Sequence, residues 1–212
     1  MRLLRSLSND AGVNSELEHR LLSEAGDDVL LFYINSPSVI IGRNQSAEAE
    51  VDLAFCAAHG IEVVRRVSGG GAVYHDRGNI NYAFITGKGR LSLLDRDPAK
   101  PVTEALASLG VEARVGSRRE LTLNGFKISG TAAYSGRGRE LFHGTLLHSV
   151  DLEMMSGALN GDASKRGRHI ASVPGRVMNL AGIKGVECDA ELFLSKLIRF
   201  FEERYGCRCC YI

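Results

Sequence analysis

The chain has 212 residues, of which 44% are hydrophobic and 24% charged, and this length and composition predict one globular domain. The formal net charge of +1 lacks the basic excess of bulk nucleic-acid binders, so no nucleic-acid partner is expected. No apolar run is long enough to cross a bilayer, and residues 1–10 lack the features of a secretory signal. We therefore expect a cytoplasmic protein without membrane association.

Two amphipathic helices are predicted, one near each end of the chain. The first covers residues 14–25, with Asn14 as its N-cap and apolar residues at helical spacing at Leu17, Leu21 and Leu22. The second covers residues 189–205, and its core face is predicted to consist of Leu192, Leu194, Leu197, Ile198 and Phe201.

Between these helices, short strands dominate. Two apolar, β-branched runs at residues 29–34 and 38–41 flank Asn35-Ser36-Pro37 and predict a hairpin-like pair. Further strands are predicted at residues 61–64, 80–85, 111–115, 121–123, 126–129 and 141–150, with helices at 51–59 and 98–109 and another from 151. This irregular alternation favours an α+β fold, with a mixed, partly antiparallel sheet and packed helices.

Five cysteines, an odd number without framework spacing, argue against a disulfide-stapled fold. Cys56 falls in a helical pattern and is predicted to be a small buried hydrophobic residue. The others are Cys188 and the tail residues Cys207, Cys209 and Cys210. The tail lacks Cys-x-x-Cys spacing, so incidental thiols are favoured, with a soft-metal or redox site as the alternative.

The run RRVSGGGAVYHDRGN at residues 65–79 is the most informative segment. Three consecutive glycines let the backbone approach a ligand closely, and the neighbouring arginines and His75-Asp76 supply charge and donors. Main-chain N–H groups of such a turn suit an anionic ligand. The run lacks the Gly-Lys-Ser/Thr end of a Walker loop and the third glycine of a dinucleotide fingerprint. A glycine-rich hairpin with exposed arginines is the alternative interpretation.

Three further blocks follow along the chain. NGFKISGTA at residues 124–132 places Lys127 in a short strand between glycines. A lysine held there suits phosphate or carboxylate oxygens, although an ordinary exposed strand residue is the commoner case. The other two blocks are HGTLL at residues 143–147 and SVPGRVMNL at residues 172–180.

Together, in this order and at these separations, the four blocks resemble the lipoate-protein ligase A family over residues 14 to about 205. The resemblance implies one catalytic domain over residues 1–212, with the biotin and lipoate ligase (class II synthetase-like) fold. It also implies a ligase that activates lipoate with ATP and Mg²⁺ to lipoyl-adenylate. The lipoyl group then passes to a lysine of a carrier such as H-protein or a dehydrogenase acyltransferase subunit.

The resemblance also assigns site residues, with Lys127 as the catalytic residue that stabilises charge at the reacting centre. Nucleotide contacts are expected from Arg66, Gly71, Ala72, Val73, Tyr74, Asn79, Glu120 and Lys127. Lipoate contacts are expected from Leu17, Tyr33, Arg66, Ser68, Gly69, Gly70, Gly71, His75, Ala132 and His143. No protein ligand of Mg²⁺ is assigned.

Two departures from the family pattern are visible. Arg119-Glu120 stands where an Asn-Asp pair is usual, so Glu120 is expected to replace the aspartate with one extra methylene. Many members also carry a C-terminal accessory domain after this region. We therefore expect that adenylation needs a small accessory subunit as a partner.

Two other functions remain open. One is an octanoyl- or lipoyl-transferase of the same fold, which uses a cysteine thiolate, but residues 170–173 contain Ser172 and no cysteine. The other is a non-catalytic subunit that binds lipoate or a nucleotide. Lys127 argues against it, because binding alone does not require a cation at the reacting centre.

Overall fold

The computed structural model describes residues 1–24, 26–89, 98–136 and 138–212, in which helices and strands alternate irregularly. The strands are β1 (Arg2–Arg5), β2 (Val29–Ile34), β3 (Ser38–Ile41), β4 (Glu62–Arg65), β5 (Val73–His75), β6 (Asn79–Gly87), β7 (Arg114–Val115), β8 (Leu121–Leu123), β9 (Phe126–Ser129), β10 (Thr131–Gly136), β11 (Arg139–Leu147) and β12 (Cys209–Tyr211). The helices are α1 (Ala11–Ser23), α2 (Ala47–Glu50), α3 (Leu53–Ala58), α4 (Lys100–Ser108), α5 (Leu152–Ala158) and α6 (Ala190–Tyr205), and Ala163–Arg166 forms a 3₁₀ turn.

The central sheet has six strands in the order β10-β11-β6-β2-β1-β12. The pairs from β10 to β2 are antiparallel, whereas β1 runs parallel to both β2 and β12. Both faces are covered, because alternate residues of β2 enter different cores. Leu30 and Phe32 pack with α4 and α6, while Leu31 and Tyr33 pack with α1. The predicted mixed, partly antiparallel sheet with packed helices is confirmed.

Two three-stranded sheets flank the central one, in the orders β4-β3-β5 and β7-β8-β9. The predicted β2–β3 hairpin is therefore wrong, since β3 pairs with β4 and β5. Both edges of β2 are already occupied, by β1 and by β6. The chain consequently leaves the central sheet after Ile34 and starts a second sheet at Ser38.

Two details of the long helices also differ from the prediction. Helix α1 begins at Ala11, and Asp10 caps it by accepting a 2.8 Å hydrogen bond from Val13 N. Asn14, the predicted N-cap, instead lies within α1, and its side chain is buried. Ala25, the predicted last residue of this helix, lies outside the described residues. On α6, Leu192 is 55% exposed and Phe193 takes its place in the core, because residues 193, 194, 197, 198 and 201 form the continuous helical face.

The cysteines differ from one another in position and burial. Cys56 is buried as predicted, and all five are free thiols. Cys209 and Cys210 belong to β12, an edge strand that the sequence interpretation missed. No helix in the described ranges is long and apolar enough to cross a membrane.

Candidate functional site

A cavity of about 500 Å³ lies where the central sheet meets both smaller sheets. Its wall is built from α1, β2, the glycine loop (residues 66–72), β9 to β11 and the segment 170–176. All four sequence blocks contribute residues to this wall. The last block contributes Ser172, Val173, Gly175 and Arg176. Segments about 100 residues apart in the chain thus surround one space.

Most of the predicted site residues border this cavity. They are Tyr33, Arg66, Gly70, Gly71, Ala72, Val73, His75, Glu120, Lys127, Ala132 and His143. The cavity wall does not include Leu17, Ser68, Gly69, Tyr74 or Asn79. Leu17 packs in the core under α1, Tyr74 packs beside Cys56, and Ser68 and Asn79 are buried behind the wall.

The glycine loop is shaped by close approaches of the main chain. Gly70 has φ +95°, a backbone conformation that residues with a side chain rarely adopt. A Cβ on Gly42 would overlap the carbonyl oxygen of Gly70, and one on Gly71 would lie 3.0 Å from Ser172 Oγ. Around Gly69, by contrast, a Cβ would meet nothing within 4 Å. The packing therefore excludes a side chain at position 42, and the positive φ disfavours one at position 70. A side chain at position 71 would have to displace Ser172, whereas position 69 has room for one.

The guanidinium of Arg66 holds this loop by hydrogen bonds to its main chain. Its Nη2 donates to the carbonyl oxygens of Gly69 and Gly71, both at 2.7 Å, and its Nη1 donates to Ile40 O. Its side chain is only 8% exposed, and burial lowers its pKa to about 10. It remains a cation at neutral pH. Because its donors are used on main-chain oxygens, its role in shaping the loop is larger than its sequence pattern indicated.

The N–H groups of the three glycines, Gly69, Gly70 and Gly71, have no hydrogen-bond acceptor in the described part of the chain. The next N–H, that of Ala72, donates to Ser172 Oγ at 2.8 Å. Successive unpartnered N–H groups form a concave site for an anion.

Lys127 enters the cavity from β9. Its main chain is held on both sides, because its N–H donates to Arg176 O at 2.7 Å and its carbonyl accepts from Met178 N. Its side chain turns toward Gly130, where a Cβ would lie 3.3 Å from Nζ. Burial lowers the pKa of Lys127, and the nearby Glu120 carboxylate opposes that shift. In the described part of the chain, no carboxylate or carbonyl binds this ammonium.

His75 reaches the cavity with one ring nitrogen unpaired. Asn14 Nδ2 donates to Asn35 Oδ1 at 2.8 Å, so Asn35 presents its Nδ2 to His75 Nδ1 at 3.1 Å. The proton of the neutral ring is then on Nε2, a buried atom with no hydrogen-bond partner among the described residues. The ring therefore offers a donor for a ligand oxygen. Burial, with Arg66 and His143 nearby, lowers the pKa of His75 to about 3.

This shift predicts an acid sensitivity. The folded-state pKa of His75 lies below its usual 6.5, so the unfolded chain takes up the proton first as pH falls. Stability is then lost progressively below about pH 6.5. Between pH 7 and pH 5, the wild type should lose about 2 kcal/mol more unfolding free energy than His75→Gln. Urea unfolding at both pH values measures this, and equal losses in the two proteins would contradict it.

A chain of buried polar contacts runs along the cavity wall. Glu18, 4% exposed, accepts from Tyr33 Oη at 2.9 Å and from His143 Nδ1 at 3.0 Å. Burial and the Glu18 charge raise the pKa of Tyr33 well above its usual value. His143 Nε2 lies 2.7 Å from Ser68 Oγ, which accepts from Arg66 Nε at 3.0 Å. The acidic residue of α1 is thereby connected to the glycine loop.

Sequence reasoning missed Glu18, Asn35 and Gly42 as members of the site, and it placed Ser172 in the fourth block without giving it a role. For Glu18 a signal was present, since the buried residues of α1 include Asn14, Leu17, Glu18, Leu21 and Leu22, at helical spacing. Two polar residues inside an apolar stripe indicate a buried polar site. No local pattern around Gly42 or Asn35 marks either residue.

The comparison with protein families gives one match. The family described as "Lipoyl protein ligase A/B catalytic domain" matches residues 10–202. Lipoate-protein ligase LplJ of Bacillus subtilis is 38% identical over 195 residues, which are 90% of this chain and 59% of LplJ. The human mitochondrial lipoyl amidotransferase LIPT1 is 39% identical over 84% of this chain and 49% of its own length. The chain thus spans about half to three-fifths of these relatives.

Solved structures with ligands or partners share the fold. Lipoate-protein ligase A bound with ATP superimposes with a TM-score of 0.80 at 30% identity, over 100% of this chain and 88% of that one. The bi-partite lipoate protein ligase of Thermoplasma acidophilum, described with its E2 lipoyl domain, gives 0.78 at 29% identity over the same shares. The expected fold class is confirmed by these superpositions.

Proposed function

Since the chain belongs to the lipoyl protein ligase A/B catalytic-domain family, we propose that it activates lipoate with ATP and transfers the lipoyl group to a carrier lysine. One observation carries the proposal. The Lys127 ammonium, unpartnered in the described residues, borders the same cavity as the peptide groups of Gly70 and Gly71. A cation and unpartnered N–H groups at the same cavity suit an acyl-phosphate, which carries negative charge on adjacent oxygens.

In the first step, a carboxylate oxygen of lipoate attacks the α-phosphorus of ATP, and the bond to pyrophosphate breaks. Negative charge then increases on the oxygens around phosphorus. Lys127 is placed to stabilise it, together with the N–H groups of Gly70 and Gly71. The arginines Arg118 and Arg176, both on the cavity wall, suit the leaving phosphates. The protein supplies position and charge, with no covalent intermediate on its own residues.

In the second step, the ε-amine of the carrier lysine attacks the lipoyl carbonyl, an amide bond forms, and AMP leaves. The amine must lose a proton in this step. Tyr33, Ala132 and His143 line the cavity and are proposed to hold the acyl chain. The donor on His75 Nε2 is proposed to hold an oxygen of the acyl group.

Mg²⁺ fits the cavity as a companion of the triphosphate. Glu120 borders the cavity and is half-buried, and its Oε2 accepts a 2.9 Å bond from Arg118 N. No described residue donates a hydrogen bond to its Oε1, which is therefore proposed as the oxygen that binds a cation. One carboxylate with substrate phosphates and water is a common arrangement for this ion. Glu120 would therefore hold Mg²⁺, which would neutralise phosphate charge. In the described part of the chain, no cluster of three or more metal-ligating side chains occurs.

A carrier protein and an accessory subunit are the proposed partners. The Thermoplasma relative is described as a bi-partite ligase with an E2 lipoyl domain, which supports both. We expect the isolated 212-residue chain to lipoylate an apo-carrier from added lipoyl-adenylate, but to release little pyrophosphate from lipoate and ATP. The intact mass of the carrier measures the lipoylation, and a pyrophosphate assay measures the adenylation. Rapid pyrophosphate release by the isolated chain would overturn the partner requirement.

Transfer without ATP is the second candidate, favoured by the 39% identity to a lipoyl amidotransferase. A thiolate mechanism is disfavoured, because none of the five cysteines, all of which lie in described ranges, borders the cavity. Transfer of a lipoyl group from a lipoylated donor protein, or of an octanoyl group from an octanoylated one, to the apo-carrier without nucleotide would establish this activity. No transfer from the donor protein, together with lipoylation of the carrier from lipoyl-adenylate, supports the ligase.

A further inference from the structure

From the buried contacts along the cavity wall, we infer that Glu18 is a positioning residue for the glycine loop and acts through His143, Ser68 and Arg66. This inference rests on the proposed function for its kinetic consequences, but not for its structural ones. Each contact is close and buried: Glu18 Oε2 to His143 Nδ1 is 3.0 Å, His143 Nε2 to Ser68 Oγ is 2.7 Å, and Arg66 Nε to Ser68 Oγ is 3.0 Å.

The end of this chain of contacts determines where a main-chain donor points. Arg66 Nη2 binds the carbonyl oxygen of Gly69 at 2.7 Å. A trans peptide places its N–H opposite its carbonyl, so the N–H of Gly70 is directed away from Arg66. The second bond from Nη2, to Gly71 O, orients the N–H of Ala72 in the same way, and that N–H meets Ser172 Oγ at 2.8 Å.

The cause of this arrangement is the burial of several polar groups that must satisfy one another. A buried guanidinium with a wrong orientation would leave donors unpaired, which costs more than the bonds themselves contribute. Ser68 Oγ fixes the orientation of Arg66 at Nε, and the His143 ring fixes Ser68. The carboxylate of Glu18 fixes the ring, because a carboxylate only accepts and therefore holds the proton on Nδ1. Tyr33 Oη holds the other carboxylate oxygen at 2.9 Å.

Glu18 also borders the cavity, so a direct contact with the acyl chain is the competing role. The two roles predict different kinetics. A residue that only contacts the acyl chain changes the KM for lipoyl-adenylate and leaves kcat nearly unchanged. A residue that directs the Gly70 N–H changes kcat, because that donor acts at the reacting centre in the proposed mechanism.

The test is a double-mutant cycle of Glu18→Gln and Ser68→Ala, assayed as transfer from lipoyl-adenylate to an apo-carrier. We expect each single variant to lower kcat by about tenfold, below the ~10²-fold loss that a 1 Å misplacement causes. The double variant should lose no more than the worse single variant, since both break one chain of contacts. In the matched cycle, Glu18→Gln combined with Lys127→Arg should give additive losses, because within the described residues no hydrogen bond joins the Lys127 ammonium to this chain of contacts. Additive losses for Glu18→Gln with Ser68→Ala, or a change in KM alone, would overturn the inference.

Hydrogen–deuterium exchange provides a readout that does not depend on the ligase activity. Both single variants should speed exchange in peptides that contain residues 69–72, and leave β12 unchanged. If the wild type shows neither ligase nor transferase activity while this exchange increases, the proposed function fails and the positioning role stands. If the wild type is active but exchange and kcat are unaltered in Glu18→Gln, the positioning role fails and the proposed function stands.

Discussion

Replacing Lys127 with alanine should lower kcat for adenylation and lipoyl transfer by about 10²–10³-fold, the loss typical of removing one preorganised group that stabilises charge. The side chain is half-buried at the cavity wall, and no carboxylate or carbonyl of the described residues binds its ammonium. Its removal should therefore leave the fold intact. Steady-state kinetics with intact-mass detection of the carrier, alongside thermal unfolding, measure both effects.

The matched control is Lys184→Ala. Lys184 is an exposed lysine away from the cavity wall, so the same loss of charge there should leave kcat unchanged. Lys127→Arg adds a second comparison. It keeps the charge but spreads it over a planar group, so it should recover only part of the rate. A Lys127→Ala enzyme with full kcat and weaker ligand affinity would instead indicate a non-catalytic binding subunit.

Gly42→Ala should lower both stability and activity, although Gly42 belongs to none of the four sequence blocks. A methyl group there would overlap the carbonyl oxygen of Gly70 and would lie 3.3 Å from Arg66 Nη2. Forcing the loop aside should cost about 1–3 kcal/mol of unfolding free energy. Displacing the Gly70 peptide by about 1 Å should lower kcat by about 10²-fold. Urea unfolding and the transfer assay measure the two losses.

Gly182→Ala is the control for this substitution. Gly182 is exposed, and a Cβ at this position would meet nothing within 4 Å. It should unfold and react like the wild type. If Gly42→Ala also behaves like the wild type, the loop does not hold the rigid shape that the proposed mechanism requires.

The placement of Lys127 and the glycine loop at one cavity could be predicted from sequence, whereas the hydrogen-bond partners of Arg66 could not. Consecutive glycines indicate a close approach of the main chain to a ligand, because glycine lacks the Cβ that would block it. Arg66 was predicted to contact the ligand. In the structure its donors bind the carbonyl oxygens of Ile40, Gly69 and Gly71. Which acceptor a buried arginine finds depends on the packing of separate segments, and no local pattern contains that information.

The strands could likewise be predicted from the sequence, whereas their pairing could not. The runs at Val29–Ile34 and Ser38–Ile41 were predicted correctly as strands, since β-branched and aromatic side chains suit a pleated, buried surface. Their pairing was predicted wrongly, because it depends on which edges distant strands have already occupied. β2 is bordered by β1 and β6, so β3 joins another sheet.

The sequence by itself determined the periodicity of the elements, the family and the chemical types of residue that border the cavity, because these are properties of short contiguous segments. Only the tertiary structure decided how the buried polar groups are paired. Glu18 and His143 lie 125 residues apart in the chain and 3.0 Å apart in space. A buried polar group must find a partner, and the sheet that forms from distant strands determines which partner is within reach.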